Sequence, residues 1–178
     1  MRSVESKRLV IDASIAAAAG RTDHPISKAC RVFLESVLKV CHHTVLTSSI
    51  TEEWNNHQSR FTLSWRSSMI ARKKVARPDV TPSDALRNGI QSSGLTEKEC
   101  TAALKDAHLV EAALMNDLRV VSLDETVRAI FRKAAPRVPS LRPVHWANPT
   151  KDDEHVIEWL EEGAKDEKAR QLGSDGSS

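Results

Sequence analysis

Two short apolar runs that each stop at an aspartate constrain this chain more than any other feature. The first is Leu9-Val10-Ile11, led in by Lys7 and Arg8, ended by Asp12, and followed by Ser14 and an alanine-rich stretch to Ala19. The second is Val120-Val121-Ser122-Leu123, ended by Asp124, with Val127, Ile130 and Phe131 following at helical spacing. Runs of this kind read as strands buried on both faces, each turning tightly into a helix. Strands alternating with helices predict an α/β fold, a three-layer α/β/α sandwich with a central parallel sheet. In such sheets ligands bind outside the carboxyl ends of the strands, where both aspartates fall. Asp12 also has a plainer role open to it, as the N-cap of the helix that follows.

Between these landmarks the pattern predicts a helix over 27–40, a strand over 44–47, and a helix opened by a Ser49/Glu52 capping box. Residues 60–95 change character. Positions 60–88 carry seven Lys/Arg against two Asp, with Pro78 and Pro82 as breakers, and read as a basic helical arm followed by a loop. Thr96 and Glu99 form a second capping box for a helix reaching Asn116, with a break near Lys105. A last strand is predicted over 141–146, and an acidic helix over 149–165 with Val156, Ile157 and Leu160 as its apolar stripe. Residues 166–178 have the composition of a disordered tail.

Helical faces single out two more acids. Asp106 lies in the stripe of Ala102, Ala103, Leu109 and Val110, where a carboxylate is costly without a partner. Lys105 and Glu111 fall on the other side, as surface charges do. Glu53 borders the stripe of Ile50, Trp54, His57 and Phe61, whereas Glu52 falls on the polar side. Asp12, Glu53, Asp106 and Asp124 can therefore meet at one sheet edge. Four carboxylates there repel one another and call for a cation. Oxygen donors of this kind suit one or two Mg²⁺ or Mn²⁺ ions; zinc favours His or Cys.

The formal charge of +2 over 178 residues is unevenly placed, +7 over positions 1–150 and −5 over 151–178. A basic body suits a polyanion. Arg72, Lys73, Lys74 and Arg77 are candidate backbone-binding residues or a solvated helix face, and Trp65 either stacks a base or packs in the core. His57 and His108 read as core histidines. No dinucleotide or P-loop glycine motif is present. Three cysteines without paired spacing read as reduced thiols of a cytoplasmic protein, and no apolar run is long enough to span a membrane.

With these residues in place, the chain resembles the PIN-domain nucleases across residues 7–148. The resemblance rests on LVIDAS (Asp12), TSSITEEW (Glu53), KDAHLVEAAL (Asp106) and VVSLDE (Asp124), in that order. It implies a metal-dependent endoribonuclease, with Asp12 and Asp106 as principal metal ligands and Glu53 and Asp124 completing the site. Ser14 and Ser122 would support the carboxylates. Members of that family include VapC-like toxins, which adds an antitoxin and a second copy of the chain to RNA as expected partners. The basic arm and acidic tail are additions to the family pattern, and Thr126 stands where a further acid is often found. A catalytically weak PIN-like module for RNA binding or assembly is the alternative.

Overall fold

The structure, a computed structural model, describes residues 4–175. Five strands form one sheet: β1 (Arg8–Ile11), β2 (His43–Val45), β3 (Val75–Ala76), β4 (Arg119–Val121) and β5 (His145–Ala147). Their order is β3-β2-β1-β4-β5, and every pairing is parallel. Eight α-helices among the described residues flank it: α1 (Ala13–Ala18), α2 (Pro25–Val40), α3 (Ser48–His57), α4 (Arg60–Ala71), α5 (Asp84–Gln91), α6 (Glu97–Leu114), α7 (Glu125–Ala134) and α8 (Val156–Glu161). The result is the three-layer α/β/α sandwich.

The layers follow from the connections. Helices α1, α2, α4 and α8 pack together on one side, while α5, α6 and α7 form the other, with α6 lying on β1 and β4. Leu9, Val10 and Ile11 are fully buried, as are Val120 and Val121, so the central strands are covered on both faces. The chain leaves β1 toward β2 and later returns to β4 on the other flank. The carboxyl ends of β1 and β4 therefore bracket a topological switch point, the crevice where such sheets bind ligands. No helix among the described residues is long and apolar enough to cross a membrane.

Several expectations are corrected. The 60–95 region is not an appended arm: Thr62, Trp65 and Met69 recur at helical spacing and bury α4 in the body, and Val75-Ala76 supply the edge strand β3. Trp65 is a core residue whose indole N–H donates to the Leu34 carbonyl at 2.6 Å. Helix α3 is capped by Thr47, which accepts from Ile50 N–H, and not by a Ser49/Glu52 box. The Thr96/Glu99 box is present, and α6 runs unbroken past Lys105.

The acidic helix over 149–165 is broken at His155, whose left-handed backbone (φ 45°) separates a 3-10 turn at Asp152–Glu154 from α8. Residues 166–175 are not a disordered tail. Leu172 and Arg170 are buried, Leu172 N–H donates to the Val144 carbonyl at 2.9 Å, and Gln171 pairs antiparallel with His145. The apolar and cationic anchors among polar small residues hold this segment down. Positions 176–178 of the predicted tail lie outside the described residues.

Candidate acidic site

Asp12 sits one residue past β1, and its N–H donates to the Val121 carbonyl at 2.9 Å, extending the β1–β4 ladder. It occupies the N-cap position of α1, yet its side chain makes no capping bond. The carboxylate instead turns to the crevice. Ser14 Oγ donates to Asp12 Oδ2 at 2.6 Å and Ser122 Oγ donates to the same oxygen at 2.7 Å. The two hydroxyls also accept from the backbone beyond β4, Ser14 from Leu123 N–H at 3.2 Å and Ser122 from Asp124 N–H at 3.1 Å. One carboxylate oxygen thus ties the ends of the two central strands together. Trp54 adds a further tie by donating its indole N–H to the Ile11 carbonyl at 3.0 Å.

Asp124 follows β4 and caps α7, Oδ1 accepting from Val127 N–H at 2.8 Å. Glu53 lies midway along α3 with Oε2 3.1 Å from His108 Nε2. Asp106 lies midway along α6 and, among the described residues, accepts no hydrogen bond. Its carboxyl is pushed up to about 6, first by burial and then by the charge of Asp12; Asp124 and Glu53 push the same way and His108 opposes. The three other acids therefore lie near enough to Asp106 for their charges to raise its carboxyl, after burial.

The remaining candidates divide by strand direction. Arg72, Lys73 and Lys74 precede β3, at the amino edge of the sheet beside His43 and Arg8, opposite the acids. Arg77 follows β3 on the carboxyl edge, near Arg66. Three of the four basic candidates therefore stand away from the crevice.

His108, a core histidine by its spacing, is 14% exposed at its side chain and faces Glu53. Two residues past Asp106 is about 200° round the helix, so spacing within α6 carried no signal of this contact. His57, placed on the inward stripe by spacing, is exposed in the last turn of α3. Glu111, assigned to the surface, is buried and accepts from Ser83 N–H and from Arg87 Nε, both at 2.8 Å.

Among the described residues no group of three or more His, Cys, Asp or Glu side chains is arranged to hold a metal ion. The carboxylate donors of Asp12, Glu53, Asp106 and Asp124 are of the oxygen type that hard divalent cations take, and a cation near Asp106 would favour the charged form that burial and the neighbouring acids disfavour. The sequence matches no protein-family model, and no curated protein matches it.

Proposed function

We propose that the protein is a metal-dependent endoribonuclease of the PIN type. The observation that carries this reading is Asp106, half-buried at the β1–β4 crevice and raised to about 6 by burial together with Asp12, Asp124 and Glu53. Acids gathered at a switch point, with Asp106 left without a donor among the described residues, have a use when a divalent ion and a phosphodiester come to them. Asp12 and Asp106 would be the principal ligands for Mg²⁺ or Mn²⁺, with Glu53 and Asp124 serving a second ion or its waters. The chemistry an ion supplies there is a water of lowered pKa and neutralisation of charge on the phosphoryl oxygens.

The chain's own residues prepare that chemistry. Ser14 and Ser122 fix the Asp12 carboxylate by donating to Oδ2, which leaves Oδ1 directed by the same two bonds. His108 holds Glu53 on the α6 side. In the toxin version of this reading, an antitoxin and a second copy of the chain are the protein partners.

One observation favours the second reading, a catalytically weak RNA-binding or assembly module. Asp12 Oδ2, Asp124 Oδ1 and Glu53 Oε2 are already engaged within the protein. The deciding experiment incubates purified protein with single-stranded RNA, with and without MnCl₂. Under the nuclease reading Mn²⁺ switches on cleavage, and Asp12→Asn stays folded while cleavage drops by at least about 10²-fold. RNA that is bound but never cut, with or without the ion, supports the module instead.

A further inference from the structure

A second concavity adjoins the acidic site and plays no part in that reading. It is a cleft of about 820 Å³ walled by α7, the turn after β5 and the C-terminal segment. Its near end is Glu125, the residue after Asp124. Five cations line it, and two are matched internally. Arg128, buried, binds Glu125 and Glu154 and donates to the Trp146 carbonyl at 2.8 Å. Arg170, also buried, binds Glu167 and Glu154 and lies 4.9 Å from the centre of the Trp159 ring. These contacts commit Glu125, Glu154 and Glu167.

The other three cations are differently placed. Arg132 lies one turn beyond Arg128 on the same face of α7 and has no carboxylate partner among the described residues. Among the described residues its Nη2 reaches the Ala169 carbonyl alone, at 3.3 Å, and its Nε is buried without an acceptor. The Nε of Arg128, a residue only 8% exposed, is likewise without one. Burial and the neighbouring Arg128 hold the Arg132 guanidinium below its usual pKa, while Glu125 and Glu154, both bound to Arg128, oppose this from a distance. Lys151 and Lys168 stand exposed on the lip, without ion pairs among the described residues. Asp153 and Asp175 share that lip and keep it from being uniformly positive.

We infer that this cleft seats a backbone phosphate of the RNA strand served by the acidic site, with Arg132 as its principal donor. The inference rests on the nuclease reading for the identity of the strand. A phosphodiester offers the oxygens that a guanidinium fork is shaped to meet, and buried unmet N–H donors gain most from an anion. Position supplies the link to RNA. Asp124 caps α7, and Arg132 lies about 12 Å along the same helix at 1.5 Å per residue. A strand leaving the acids along α7 passes over Ala129 and reaches Arg132.

The test uses full-length protein carrying Asp12→Asn, so that RNA stays intact, in EDTA, with a fluorescein-labelled single-stranded RNA read by anisotropy across a salt series. Adding Arg132→Gln is expected to weaken binding roughly tenfold and to lower the slope of log K against log salt by about 0.7; Arg132→Lys is expected to restore the slope. If Arg132→Gln fails to fold, the double variant Lys151→Gln/Lys168→Gln, on exposed positions, decides, with a slope expected to fall by about 1.4. RNA that does not bind, or binds with unchanged affinity and slope in the folded variants, overturns the inference. Cleavage by the wild-type chain with Mn²⁺, alongside Arg132-independent binding, defeats the cleft alone. Arg132-dependent binding without metal-dependent cleavage by the wild-type chain defeats the nuclease reading alone.

Discussion

Replacing Asp106 by asparagine in the metal-free protein tests the electrostatics on which the site depends. The carboxyl is raised to about 6 by burial and by Asp12, Asp124 and Glu53, whereas an aspartate in an unfolded chain titrates near 3.9. Between these values the folded chain holds the extra proton. The stability that protonation of Asp106 contributes is therefore fully present below about pH 4 and is lost as pH rises through 6. Above that, the charged carboxylate opposes folding. A shift of about two pKa units corresponds in full to about 3 kcal/mol. Because the side chain is only half-buried, solvent screening reduces this to about 1–2 kcal/mol. Asparagine keeps the shape without the charge and forfeits no hydrogen bond.

Asp106→Asn is accordingly expected to melt about 3–6 °C above wild type at pH 7.5 in EDTA, for a chain of this size. The gain should shrink toward zero near pH 4. Thermal unfolding followed by circular dichroism from pH 4 to 8 reads both numbers. A variant that melts below wild type at pH 7.5, or a gain that persists at pH 4, refutes the electrostatic argument. Adding MnCl₂ at pH 7.5 should reverse the order, because a ligand that binds the folded state raises its stability by mass action. Equal Mn²⁺ shifts in the two proteins would remove Asp106 from the ion's ligand set.

Two further perturbations probe the frame around the site. Glu111→Gln breaks the buried pair that fastens α5 to α6 and leaves Arg87, 31% exposed, without its carboxylate; a loss of about 2–3 kcal/mol in urea unfolding is expected, and an unchanged midpoint would show the pair to be dispensable. Removing residues 168–178 exposes the Leu172 and Arg170 sites beside β5, and a loss of at least about 2 kcal/mol is expected from the leucine alone; a truncated chain as stable as the full one would return the segment to the status of a tail.

The sheet and its order of elements were legible because buried parallel strands leave a strong mark. Leu9-Val10-Ile11 and Arg119-Val120-Val121 have too few polar residues to face water. Strand β3 left no such mark, since two half-buried residues at a sheet edge carry no periodicity. Glu111 is buried against its helical spacing for a related reason. It lies five residues from Asp106, about 140° round the helix at 100° per residue, which puts it outside a single buried stripe. Helix α6, however, packs on β1 and β4 with one face and on α5 and α7 with others. A helix buried on two sides hides a charge that a one-sided wheel exposes, and Arg87 supplies the compensation from another element.

Legibility of the candidate site was limited by strand direction more than by residue type. Arg72, Lys73, Lys74 and Arg77 are neighbours in sequence, yet a strand lies between the third and the fourth. In a parallel sheet everything that precedes a strand collects at one rim and everything that follows it at the other. Crossing β3 therefore sends Arg77 to the acids' side and leaves its three companions beside Arg8 and His43. The same rule, applied to Asp12, Ser122 and Asp124, brings residues 110 apart onto one carboxylate oxygen. Both outcomes follow from asking on which side of its strand a residue stands. Arg128 and Arg132 answer that question through α7, which begins at the acids' rim. Of these two, Arg128 is matched by Glu125 and Glu154, and Arg132, a turn further on, has no carboxylate partner among the described residues.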